Sequence, residues 1–415
     1  MANVLSYEEV LENLNNIVDN PNSINQIKLQ KPIGYSSFDY PILHYTFGNG
    51  QNNILIVGAT HGNEIITTDF IIKLMKEISD GNKKFNFLDK NIYTLHFIPL
   101  LNPEGYIITT SAVKQLINQN MSEQQRQQII SEYNKRYEED DMNSILKLNR
   151  PFKEYQKMCE NIDYTCISDN HKNLKNSVKQ ILENNNVPKG AIISWASNGM
   201  GIDLNSNSPY NPKLTLIKSG ITSFSYLRYD NIITTKPGPI GCPTRNSDGS
   251  FFLEPENKAI QSLLFELKHS KNLCAFFTYH SVAGEIYYKP YDLETFCTNE
   301  TMTNLDIEKI YNKKIASLYC SKTNYRVIDD IPTKDSFNDL LRIQANGNIL
   351  IELCESGNNS FGSYVEPEYT NTIKKNIEAC SYVFEKLPNL KKAKDKLLSI
   401  NIHDKQFSDT DIFER

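Results

Sequence analysis

Apolar positions along the chain follow two rhythms. Ile54-Leu55-Ile56-Val57 is an unbroken apolar run reaching Ala59, the pattern of a short strand buried on both faces. Directly after it, Ile66, Phe70, Leu74 and Ile78 recur every fourth residue, which predicts a helix with one buried face. Tyr93 to Leu101, Ala275 to Tyr279 and Ile349 to Leu353 follow the strand pattern again. Glu254-Pro255-Glu256 opens a helix in which Ile260, Leu263, Leu264 and Leu267 share a face, and its acidic first turn suits the helix dipole. Ile373, Ile377, Cys380 and Phe384 mark a late packing helix, and Ser6 ahead of Glu8 and Glu9 caps an amphipathic one at the N-terminus. Strands alternating with helices predict an α/β fold, a mixed and mostly parallel twisted sheet flanked by helices. In open sheets of this kind, ligands gather at the carboxyl ends of the strands.

The rhythm breaks between Ile107 and Gly190, a stretch rich in Asn, Gln, Glu and Lys. One helical pattern inside it runs from Glu123 to Leu148, and another carries Leu174, Val178, Ile181 and Leu182. Residues 107–190 are therefore expected to form an inserted helical lobe, either solvated decoration or a lid over a cleft. Residues 1–106 and 191–387 then make one discontinuous domain, within which Tyr210 to Ser250 is expected to be loop. Residues 388–415 are expected to be a peripheral C-terminal tail.

Composition narrows the class. With 39% hydrophobic and 22% charged residues and a net charge of −5, the 415-residue chain suits a soluble globular protein. No basic stretch interleaved with aromatics suggests nucleic acid, and the apolar runs are too short to suggest a membrane span. The first ten residues lack a basic start and an apolar core, which sets the expectation of a cytoplasmic protein. Eight cysteines show no metal-type spacing, and Cys274, Cys354 and Cys380 fall on apolar patterns as small core residues.

The chemistry begins at His61-Gly62-Asn63-Glu64, where the first strand gives way to a helix. An imidazole and a carboxylate three residues apart can reach one zinc ion, which needs further ligands from elsewhere. His280, at the end of the apolar run from Cys274 to Phe277, is the third candidate. Three such ligands leave one position for water, which zinc makes acidic enough to ionise near neutral pH.

Further blocks follow in order: Leu101-Asn102-Pro103-Glu104-Gly105, Gly201-Ile202-Asp203-Leu204-Asn205, Glu254-Pro255-Glu256, Tyr279-His280-Ser281 with Gly284, Ile351-Glu352-Leu353, and Phe361-Gly362. This series resembles the zinc carboxypeptidase family of the carboxypeptidase A type, including its bacterial γ-D-glutamyl and murein-peptide peptidases, over about residues 30–387. The resemblance implies one zinc per chain held by His61, Glu64 and His280. It makes Glu352, which ends a strand, the general base, and it gives Asn205 a part in holding the substrate carboxylate. Asp203 suits the role of accepting the second ring proton of a ligating imidazole, and Ser281 that of shaping the loop behind His280. Glu355, three residues on, is the alternative carboxylate, and its expected role is that of a surface or salt-bridged group.

Two departures stand out. Where the family has Asp-Leu-Asn-Arg-Asn, with an arginine that grips the substrate carboxylate, this chain has Ser206. Where related bacterial enzymes carry an oxyanion-stabilising arginine, it has Met200. Arg245, Arg228 and Arg150 are the candidate replacements, with Arg245 preferred. The family's substrate-contacting tyrosine falls at Asp330 or Tyr325, and whether Glu285 or Asp335 lines the specificity pocket stays open.

A zinc metallopeptidase acting on a cell-wall-type peptide with a γ-D-glutamyl bond is the leading expectation. The His-Gly-Asn-Glu string also resembles that of zinc amidohydrolases which deacylate N-acyl amino acids. A non-catalytic zinc-holding peptide-binding protein is the third reading, against which retention of Glu352 counts.

Overall fold

Ser6 closes the first helix with a capping box: its hydroxyl accepts from the Glu9 amide, and Glu9 Oε2 accepts from the Ser6 amide. The computed structural model describes residues 3–118, 162–184, 189–205, 207, 253–270, 272–281, 284–288, 299–328, 349–353 and 367–399. In chain order the first half holds α1 (Tyr7–Val18), β1 (Ile27–Leu29), β2 (Gly34–Tyr35), β3 (Pro41–Ile42), β4 (Tyr45–Gly48), β5 (Asn52–Val57), α2 (Ile65–Ser79), β6 (Tyr93–Ile98) and α3 (Pro103–Asn118). The second half holds α4 (Lys172–Asn184), α5 (Pro255–Ser270), β7 (Asn272–Ser281), β8 (Glu285–Tyr287), α6 (Asn299–Thr323), β9 (Arg326–Ile328), β10 (Ile349–Leu353) and α7 (Glu368–Ser399).

Eight strands form one sheet in the order β1-β4-β6-β5-β7-β10-β8-β9, with β2 and β3 paired apart. The central strands β6, β5, β7 and β10 run parallel. Antiparallel pairing enters at β4 and again between β10 and β8. This is the mixed, largely parallel sheet that the hydrophobic pattern predicts. Along β5 the side chains alternate: Ile54 and Ile56 join a large core with α1, α2, α3, α6 and α7, while Leu55 and Val57 join a smaller one with Ile260 and Leu264 of α5. Two covered faces explain why the strand is an unbroken apolar run.

Three boundaries differ from expectation. β6 ends at Ile98, and the amides of Leu101 and Asn102 bond instead to the carbonyls of Gly58 and Ala59. The insertion is not a separate lobe where it is described: Ile107, Ile108, Ala112 and Val113 continue α3 into the main core, and Leu174, Val178, Ile181 and Leu182 of α4 join the same core. Its middle, including 123–148, lies outside the described residues. The tail does not begin at 388, because α7 runs through Pro388 to Ser399. Leu390 packs into the core, and the buried Lys394 pairs with Glu308 on α6 at 2.9 Å. Apolar and paired positions beyond the proline keep the helix attached.

No helix among the described residues is long and apolar enough to cross a membrane. Cys274 and Cys380 are buried free thiols, as expected of small core residues; Cys354 lies outside the described residues.

Candidate metal centre

The chain leaves β5 through a tight corner. Ala59 adopts a left-handed φ of 48°, a conformation that costs a non-glycine residue free energy. The Thr67 hydroxyl holds the corner by meeting the Ala59 amide at 2.8 Å and the Glu64 carbonyl at 2.7 Å. Gly62 follows because nothing larger fits: a Cβ there would lie 2.1 Å from the backbone of Gly105. The buried Asn102 ties this corner to a third segment, its amide group reaching the carbonyls of Thr60, Ala196 and Ser197 at 3.1–3.2 Å. Glu64 stands at the N-cap of α2, yet its side chain makes no capping bond.

Freed from capping, that carboxylate meets two imidazoles. Glu64 Oε1 lies 2.7 Å from His61 Nδ1, Glu64 Oε2 lies 2.9 Å from His280 Nδ1, and the two Nδ1 atoms are 3.3 Å apart. All three residues are buried. Zinc bonds of 2.0–2.1 Å in a tetrahedron place ligand atoms about 3.3 Å apart. The N···N separation already has that value, and the carboxylate need retreat only slightly to match it. The donor set therefore fits one zinc ion, and among the described residues no other group of His, Cys, Asp or Glu converges as closely.

The electrostatics agree. Burial alone would pull the His61 imidazole down, but the Glu64 and Asp203 carboxylates hold it above its ordinary range. Burial pushes Glu64 up, yet His61 and His280 outweigh it and keep the group ionised. A carboxylate between two imidazoles is a donor set suited to a cation. Asp203 Oδ1 lies 3.2 Å from His61 Nε2, the far side of the ring, where accepting a proton leaves Nδ1 free to ligate. The same oxygen accepts the Asn205 amide at 2.8 Å, so one carboxylate positions both residues.

Glu352 enters through sheet register. It pairs with His280 across the parallel β7–β10 ladder, and Leu353 pairs with Ser281. Ser281 is buried, and its hydroxyl has no partner among the described residues. Met200 is exposed, its backbone amide capped by Asn198 Oδ1 at 3.0 Å. Tyr325 does not serve as the substrate-contacting tyrosine: it is buried in the core, where Asn376 Nδ2 donates to its hydroxyl at 2.8 Å. Arg245, Arg228, Arg150, Ser206, Asp330, Asp335, Glu355 and the pair Phe361-Gly362 lie outside the described residues.

A second buried polar cluster sits behind the Asp203 loop. Glu104 accepts the amides of Gly199 at 2.7 Å and Phe38 at 2.6 Å. Asn198 donates to Glu254 at 2.9 Å and to Glu256 at 3.4 Å, while its Oδ1 caps the amides of Met200 and Ile202. Glu254 and Glu256, at the start of α5, are thus buried clamps on the turn before Asp203. Burial pushes all three carboxyls up, and the Glu104 charge adds to the rise at Glu256. Their sequence signal was the Glu-Pro-Glu string itself, whose two acids flank a helix start and face one way.

A family model described as zinc carboxypeptidase matches residues 22–361. No curated protein matches the chain. Among solved structures, the fold is similar to that of carboxypeptidase A from Helicoverpa armigera, with 14% identity and a TM-score of 0.53 over 94% of this chain and 74% of that one. Bovine thrombin-activatable fibrinolysis inhibitor, solved with a tick carboxypeptidase inhibitor, aligns with 13% identity and a TM-score of 0.52 over 94% of this chain and 98% of that one. At these identities the likeness to solved structures is one of fold.

Proposed function

This chain belongs to the zinc carboxypeptidase family, and from that premise we propose that it cleaves a cell-wall-type peptide at a γ-D-glutamyl bond to a diamino acid. The carrying observation is the convergence of His61 Nδ1, His280 Nδ1 and the Glu64 carboxylate, with Glu352 in register beside His280. The unusual substrate is supported by Ser206, which replaces the arginine that an ordinary C-terminal trimming enzyme of this family uses.

His61, Glu64 and His280 would hold the zinc, which would supply Lewis acidity enough to ionise a water near neutral pH. Asp203 holds the His61 ring from its Nε2 side, so the ligating nitrogen keeps its aim. Glu352 takes a proton from the attacking water and returns it to the departing amine nitrogen. Asn205, aligned through Asp203, holds the substrate.

The test is to incubate the zinc-loaded protein and its Glu352→Gln variant with muropeptides, ordinary peptides and N-acyl amino acids, reading products by mass. The expected result is cleavage of γ-D-glutamyl peptides by the parent alone, with one zinc bound in both proteins. Cleavage of ordinary peptides only would overturn the substrate; cleavage of N-acyl amino acids only would favour the amidohydrolase. No cleavage by the zinc-loaded parent would leave a binding protein on a peptidase frame.

A further inference from the structure

Four strands bring four charged or ligating positions into one row across the sheet. His280 on β7 pairs with Glu352 on β10. Glu352 pairs with Glu285 on β8, and Glu285 pairs with Arg326 on β9. Directly paired positions lie on one face of a sheet. At about 4.8 Å between strands, Arg326 begins about 10 Å from Glu352 and about 14 Å from His280 along the row.

The side chain of Arg326 covers part of that distance. Its Nη2 contacts Glu285 Oε1. Because Glu285 stands between Arg326 and the Glu352 position, this contact draws the guanidinium over β8 toward β10. The Tyr287 hydroxyl donates to the other oxygen, Glu285 Oε2, so the carboxylate is engaged on both sides and its direction is set. Glu285 is buried, whereas the Arg326 side chain is 73% exposed. A buried carboxylate with both oxygens taken has little left for a ligand. An exposed guanidinium held at one nitrogen keeps its remaining donors available, in the planar geometry that suits a second carboxylate. Arg326 is also the only arginine among the described residues.

We propose that Arg326, aimed by Glu285, takes the carboxylate of the substrate's leaving residue, the task that Ser206 cannot perform. This rests on the reading of the metal centre and Glu352 given above. Arg326 is then the specificity residue, and Glu285 positions it.

Binding to zinc-loaded Glu352→Gln protein, which does not turn over, isolates recognition from chemistry. Two acid and amide pairs serve as probes in calorimetry: L-alanyl-γ-D-glutamyl-L-lysine with its lysine amide, and N-acetyl-alanyl-lysine with its amide. At least one acid is expected to bind about tenfold or more tightly than its amide. Adding Arg326→Met should abolish that preference by weakening the acid alone, and Arg326→Lys should restore part of it. The double change Glu285→Gln with Arg326→Met, which leaves no buried charge unpaired, should match Arg326→Met if the loss is recognition and not misfolding; zinc content checks the fold in each. A preference that survives Arg326→Met, or the absence of any preference in both pairs, overturns the proposal. Preference for the ordinary dipeptide acid alone sustains Arg326 while removing the γ-D-glutamyl substrate, so the two failures are distinct.

Discussion

Two buried clusters lie within a few residues of each other on the Asp203 loop, and although burial pushes the acids of both upward, they end in opposite states. At the metal centre, Glu64 sits between two imidazoles, and their charge outweighs desolvation, so the carboxylate stays ionised and ready to ligate. Behind the loop, Glu104, Glu254 and Glu256 sit among one another: desolvation pushes all three carboxyls up, and like charge adds to the rise at Glu256 and Glu104. The first cluster is built to hold a cation. The second is built to hold backbone: Glu104 and Asn198 take the amides of Phe38, Gly199, Met200 and Ile202. Neighbouring charge, not depth of burial, decides which of the two a buried glutamate becomes.

The contrast can be broken from either side. The largest effect is expected from Glu64→Gln, which removes the charge that two imidazoles stabilise. Zinc affinity should fall on the order of a thousandfold, measured by competition with a chelator, and hydrolysis should vanish. Glu104→Ala should leave the buried Gly199 amide and the partly buried Phe38 amide unpaired and destabilise the fold by about 2–4 kcal/mol in urea unfolding, with zinc still bound. Asp203→Asn keeps the shape of the link between the clusters but weakens its hold on His61. Zinc affinity should drop about 10- to 100-fold with little change in the urea midpoint of the metal-free protein.

The smallest effect sharpens the comparison through pH. Glu256 has a carboxyl raised in the folded state, so its contribution is full below the ordinary carboxyl range and shrinks as pH climbs. Glu256→Gln does not ionise, so it should melt about 2 °C above the parent at pH 8 and no higher at pH 4. A gain equal at both values would show that Glu256 does not carry a proton-linked cost.

The metal half of the site was legible because each ligand sits where a change of hydrophobic rhythm marks the end of a strand: His61 after β5 and His280 in β7. The bonding partners of the acids were not. Glu254 and Glu256 carry the same local pattern as solvated first-turn acids, and only the packing of α5 against Asn198 buries them. Where residues 107–190 and 388–399 are described, some of them join the core, and this was not legible for a related reason, since polar composition and lysines say little about which apolar residues among them reach it.

What this sequence determined by itself is therefore local and periodic: the strands and helices, the order of the motif blocks, and the residue types at the metal centre. The tertiary structure alone decided the neighbours. Glu285, Arg326 and Glu352 are separated by long stretches of chain, and they share a row because β8 pairs antiparallel to β10 and parallel to β9. Register between strands distant in sequence is set by which faces bury together, and a period of two within each strand does not carry that information.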